Sequence, residues 1–141
     1  MIRKKLILGF IGLVCFAWMS MQTAYAHHSS ARFNQSQTVT LKGTVRTVEW
    51  KNPHIWLWVW VTEVDGEPVA DENGEPVVWG LESIAPGELL RSKSGWKRNT
   101  LQQGDKVTVT GHPLTDGRPA ASLGSITLDD GTVIHGSPAA N

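Results

Sequence analysis

Residues 49–64, EWKNPHIWLWVWVTEV, decide the fold. Between positions 54 and 61 two sets of side chains alternate, Ile55, Leu57, Val59 and Val61 against His54, Trp56, Trp58 and Trp60. A strand sends successive side chains to opposite faces, whereas a helix would scatter the same residues around its circumference. The period of two therefore predicts a strand with an aliphatic face for a core and a row of indoles spaced by roughly 6.5 to 7 Å, with His54 at its head. Pro53 suits the place just before such a strand, because its missing N–H would interrupt an interior ladder.

Working outward, residues 38–50 alternate through Val39, Leu41, Val45 and Val48, and the change of phase after Gly43 predicts a bulge or sharp bend. Downstream, Asp65-Gly66 and Asn73-Gly74 are turn signals, and the carboxylate-rich EPVADENGEP around them reads as a solvated hairpin tip. Its acidic residues lack the regular spacing of a calcium loop. Residues 77–82 give a third strand. IAPGELLRSKSGW then reads as a short helix, with Pro86 in its first turn, Glu88 complementing the dipole, Leu89 and Leu90 forming an apolar side and Gly95 ending it. A turn at Gly104-Asp105 leads to a fourth strand with Val107 and Val109 inward. Asp116-Gly117 turns the chain into a fifth strand over 120–128, containing Leu123 and Ile126, and 132–134 follow Asp130-Gly131 as a short sixth.

Strand, strand, strand, helix, strand, strand, with the first strand bent at a glycine, is the order of the oligonucleotide/oligosaccharide-binding (OB) barrel. A sandwich needs more strands and has no place for the helix. The expected fold is mainly β: a small five- to six-stranded OB-like barrel with one short helix between strands three and four.

The chain opens with a targeting pattern. Arg3, Lys4 and Lys5 precede an apolar run over 6–18, and Ala24-Tyr25-Ala26 offers the small residues that a signal peptidase reads. This predicts a signal peptide over 1–26, a mature chain starting at His27, a periplasmic or secreted location, and no stable membrane anchor after processing. The rest divides into an N-terminal arm over 27–37, one barrel domain over 38–135 and a flexible tail over 136–141. Cys15, the single cysteine, lies in the apolar run, so the mature chain has no thiol and suits an oxidising compartment.

The full chain of 141 residues is charge-balanced, with 13 Lys and Arg against 13 Asp and Glu. Removing 1–26 takes three cations away and leaves ten against 13, a net charge of −3. A nonspecific nucleic-acid binder needs a stripe of Lys and Arg, and none is present. The one basic cluster, Arg91, Lys93, Lys97 and Arg98, fits a helix C-terminus and its turn. No Ser/His/Asp signature, phosphate-cradling glycine loop or catalytic cysteine is found, so no catalytic residue is assigned.

The segments HHSSARF, VTLKGTVRTVEWKNPH, WGLES, GW, LQQGDKVTVTGHP, DG and GSITLDDG together span nearly the whole mature chain. In them the chain resembles a family of small exported bacterial proteins of unknown function whose mature sequence opens His-His-Ser. The resemblance implies periplasmic export and a shared fold, and carries no activity with it.

Among the five histidines, His27 and His28 would stand at the new terminus. There the α-amine and the first imidazole can chelate one metal ion, with a further imidazole completing the site. This is similar to the copper histidine brace of some secreted monooxygenases and periplasmic copper carriers. Amine and imidazole ligands suit Cu(II), which heads the divalent affinity order, so copper is the expected cofactor if there is one. His54 is the first candidate for the remote ligand and His112 the second, while His135, next to the expected tail, ranks last. The metal-ligand set is thus His27, His28, His54 and His112.

Two other readings remain open. Glu49 beside Trp50 and Glu82 near Trp79 allow a paired acid/base site, although a solvated strand face accounts for both more simply. Trp56, Trp58 and Trp60, if exposed, would stack sugars or bases, and the negative mature charge favours a neutral glycan or small apolar ligand. If buried, the commoner fate of large aromatics, they would pack under the arm, under the helix or across a homo-oligomer interface. A metal-binding periplasmic protein, a glycan-binding barrel and a structural module are the three classes that the sequence admits.

Overall fold

The structure, a computed structural model, describes residues 31–92 and 94–137. The signal-peptide reading and the histidines His27 and His28 lie outside the described residues. The chain order is β1 (Val39–Glu49), β2 (Trp56–Val64), β3 (Glu67–Pro68), β4 (Val77–Glu82), α1 (Pro86–Arg91), β5 (Lys106–Pro113), β6 (Ala120–Leu128) and β7 (Val133–His135). Among the described residues no helix is long and apolar enough to cross a membrane.

β1 pairs antiparallel with both β2 and β5, β2 with β4, and β5 with β6, while β4 and β6 run parallel. The ring β1–β2–β4–β6–β5 therefore closes on itself, as an OB barrel does. β3 adds two residues to β2, and β7 adds three to β6, both outside the ring. Because β3 is only an extension of the hairpin, α1 still lies between the third and fourth strands of the barrel itself.

One strand can serve two neighbours only by bending. β1 does so at register shifts between Lys42 and Gly43 and between Val45 and Thr47. At the first, a Cβ on Gly43 would stand 2.1 Å from the Trp60 carbonyl oxygen, so only glycine lets the two backbones approach. The bend that the phase change predicts is thus the place where the barrel closes.

Leu41, Val45, Ile55, Leu57, Val59, Val61, Leu81, Val109 and Ile126 are completely buried and form one cluster inside the ring. Burying each such side chain contributes about 1.5 to 3 kcal/mol. α1 contributes Leu89 to this cluster, but Leu90 is 59% exposed, so the expected two-residue apolar side is one residue wide. The helix also ends earlier than expected, at Arg91 rather than near Gly95. Ser92 caps it, its N–H reaching the Glu88 and Leu89 carbonyls at 3.1 and 3.2 Å and its hydroxyl donating to the Leu89 carbonyl at 2.7 Å.

The ends of the domain are tied down more firmly than their composition suggests. Phe33 is buried and bridges Leu114, and the Asn34 N–H donates to the Pro113 carbonyl at 2.8 Å. His135, next to the expected tail, belongs to β7, where its N–H donates to the Ser94 carbonyl at 3.0 Å. Gly136 follows, buried, donating to the Gly124 carbonyl at 2.9 Å and accepting from the Ser83 hydroxyl.

Candidate functional site

The alternation in β2 works as its period requires. Leu57, Val59 and Val61 point into the barrel, and Trp56, Trp58 and Trp60 stand on its outer surface, half-buried rather than covered. Register fixes their neighbours. Trp56 lies between Glu49 on β1 and Glu82 on β4, Trp58 between Thr47 and Gly80, and Trp60 between Thr44 and Val78. Trp56 and Trp58 stack with ring centroids 5.7 Å apart and planes 19° from parallel.

Trp58 is held on its β1 side and given room on its β4 side. Its Nε1 donates to Glu49 Oε1 at 3.0 Å, and its six-membered ring lies over Gly80, where an added Cβ would come within 2.8 Å of Cζ3. Lys51 pairs with the other oxygen of Glu49 at 2.5 Å. The Lys51 ammonium, and after it the Trp58 N–H, hold the Glu49 carboxyl below its ordinary value, because both favour the charged form.

Glu82 departs from the solvated face expected of it. It shares the outer surface with Trp56, yet only 8% of it is accessible, and its carboxyl group pairs with His54 Nδ1. A buried carboxyl group is costly without such a partner. His54 is about a third exposed, and with Nδ1 engaged the nitrogen left for a ligand is Nε2.

His112 repeats this arrangement with a different partner. Its Nδ1 is bonded to the Gln37 carbonyl at 2.8 Å, which again leaves Nε2. It lies opposite Ser122 on β6, which in turn lies opposite Glu82 on β4. Two inter-strand steps of roughly 4.8 Å put the His112 and Glu82 Cα atoms about 10 Å apart. The fold thus brings His54 and His112 to one end of the outer surface, and leaves His135 exposed on β7. Among the described residues, no group of three or more His, Cys, Asp or Glu side chains is placed to hold a metal ion.

Sequence reasoning missed the role of Glu82, although a signal was present. In Trp79-Gly80-Leu81-Glu82, the residues facing the Trp row are the smallest possible one and a carboxylic acid, which is what a ring lying across a neighbouring strand and a buried partner for His54 require. Trp96 was also not singled out. It is 2% exposed and meets Trp50 edge to face, with centroids 5.8 Å apart. A shallow polar depression of about 390 Å³, lined by Lys42, Thr44, Lys106, Thr108 and Thr127 among others, contains none of the histidines or tryptophans.

No curated protein and no solved structure matches the chain significantly. The model of a family of unknown function, DUF6152, matches residues 15–122, a span that includes β1, β2, β4, β5 and both His54 and His112, and the chain belongs to that family.

Proposed function

We propose that the protein is a periplasmic copper-binding protein, in which the α-amine and imidazole of a processed His27 chelate one Cu(II) ion and His54 supplies a further ligand through Nε2. The observation that carries this reading is the bond between His54 Nδ1 and the buried Glu82 carboxyl group. A histidine that ligates a metal almost always has its other ring nitrogen held by a carboxylate or a backbone carbonyl, which fixes the ring and raises the basicity of the ligating nitrogen. His112, held by the Gln37 carbonyl, is the second candidate on the same ground.

Reach is no obstacle. Phe33 is anchored at Leu114, and the six residues from 27 to 32 span up to about 20 Å when extended. Titration of Cu(II) into exported protein with a native His27 terminus, into the same chain with one residue added ahead of His27, and into His54→Ala tests the reading. Both altered forms are expected to bind at least about ten-fold more weakly, equivalent to 1.4 kcal/mol or more. Equal affinity in all three would reduce copper binding to adventitious surface contact.

A further inference from the structure

The geometry points to the outer face of β2 and β4 as a second site, one that binds a neutral sugar ring of an oligosaccharide on the platform formed by Trp56 and Trp58. This inference does not rest on the copper reading. It rests first on preorganisation. Trp58 is held by Glu49 at its Nε1, its six-membered ring takes the room that Gly80 leaves over β4, and it stacks nearly parallel with Trp56. Side chains already locked in place lose little conformational entropy when a ligand stacks on them, so most of the contact free energy is retained.

The surroundings select the class of ligand. Carboxyl groups stand on both sides of Trp56, Glu49 on β1 and Glu82 on β4, and residues 27–141 carry ten Lys and Arg against 13 Asp and Glu. A phosphate backbone gains no stripe of cations there, whereas sugar hydroxyls can donate to the exposed Thr47 hydroxyl next to Trp58. Carbon-bound hydrogens of a pyranose, in turn, fit the apolar indole face.

The obvious rival is a second copy of this chain, which would have to cover far more than the indoles. Three half-buried indoles expose at most roughly 300 Å² together, against about 800 Å² per partner in a standard protein interface. That area matches a small ligand.

The test uses the processed full chain. Tryptophan fluorescence and calorimetry are followed during titration with cellotetraose, with tetra-N-acetylchitotetraose and, as the charged counterpart, with a single-stranded oligothymidylate, while sedimentation records the oligomeric state. At least one neutral tetrasaccharide is expected to bind with a dissociation constant below about 1 mM, and the oligothymidylate to bind far more weakly. Trp58→Ala should weaken saccharide binding about ten-fold or more while leaving Cu(II) affinity unchanged, and Trp58→Phe should restore part of it. His54→Ala should leave saccharide binding within about three-fold, which separates this site from the copper site. Failure of both saccharides, equal binding of the oligothymidylate, or a dimer that Trp58→Ala dissociates would each overturn the proposal. If Trp58→Ala does not fold, as judged by circular dichroism, Trp58→Phe and Glu49→Ala, which removes the acceptor of the Trp58 N–H, carry the comparison, and unchanged saccharide affinity in both would also overturn it.

Discussion

The six-membered ring of Trp58 occupies the space that a side chain on Gly80 would need: a Cβ there would lie 2.8 Å from Cζ3 and 3.2 Å from Cη2 of Trp58, and 3.3 Å from Cζ3 of Trp56. Gly80→Ala must therefore push both indoles away from β4. Overpacking of this kind costs about 1 to 3 kcal/mol, and because Trp58 is half-buried the lower end of that range is expected. Near-ultraviolet circular dichroism should lose the signal of the stacked pair, while the far-ultraviolet spectrum stays that of a folded barrel. An unchanged near-ultraviolet spectrum would mean that the stack does not depend on the missing side chain.

Gly43 presents the same problem with a harder obstacle. Its Cβ would stand 2.1 Å from the Trp60 carbonyl oxygen, which is backbone and cannot rotate away, at the point where β1 must turn from one neighbour to the other. Gly43→Ala is expected to cost about 3 kcal/mol or more. Gly117→Ala provides the contrast. Its φ is +77° but nothing lies within 4 Å of the added carbon, so only the left-handed backbone is penalised, by about 1 to 2 kcal/mol. Urea denaturation of the two variants gives both numbers, and a smaller loss for Gly43→Ala would contradict the account of barrel closure.

His54 and Glu82 are coupled, and a double-mutant cycle measures by how much. His54→Ala leaves the Glu82 carboxyl group buried without this partner, and Glu82→Ala frees the ring that it orients. A hydrogen bond to a buried carboxyl group contributes about 1 to 3 kcal/mol, so the stability losses of the two single variants should exceed the loss of the double variant by that amount. Strict additivity would show that the pair does not orient His54.

The barrel was legible in the sequence because its signals are local. Period-two alternation, Gly-containing turns and a proline-led helix are each written in a few consecutive residues, and each depends only on backbone geometry. What was not legible depends on pairing across the sheet. Glu82 reads as solvated until β4 is placed beside β2, which puts it against Trp56 and His54. The same holds for Leu89 and Leu90, adjacent in sequence and equal in hydrophobicity. Only the docking angle of a six-residue helix decides that the first is buried and the second is 59% exposed. The bounds of the last strand shift for a similar reason, from the expected 132–134 to Val133–His135, since the three residues of β7 carry almost no pattern of their own and are held by β6 and by Ser94.

Glu49 makes the tryptophan platform sensitive to acid. Its carboxyl sits below the ordinary carboxylate range, chiefly through Lys51 and then through the Trp58 N–H. A group whose value is lowered on folding adds stability above its unfolded value, and that contribution disappears as pH falls through the lower, folded value. Neutral solutions are therefore on the stabilised side, and the loss falls below the usual range for a glutamate. Protonation also removes the charge that Trp58 Nε1 and Lys51 share, so the indole is held less tightly on its β1 side while Gly80 still leaves it room over β4. Tryptophan emission recorded as pH is lowered should show a transition in that acid range, before the barrel unfolds by circular dichroism. Glu49→Gln keeps the shape and a hydrogen-bond acceptor but cannot titrate, so its emission should be flat over the same interval. A transition of equal size in Glu49→Gln would assign the acid response to another group and remove Glu49 as the residue that holds Trp58.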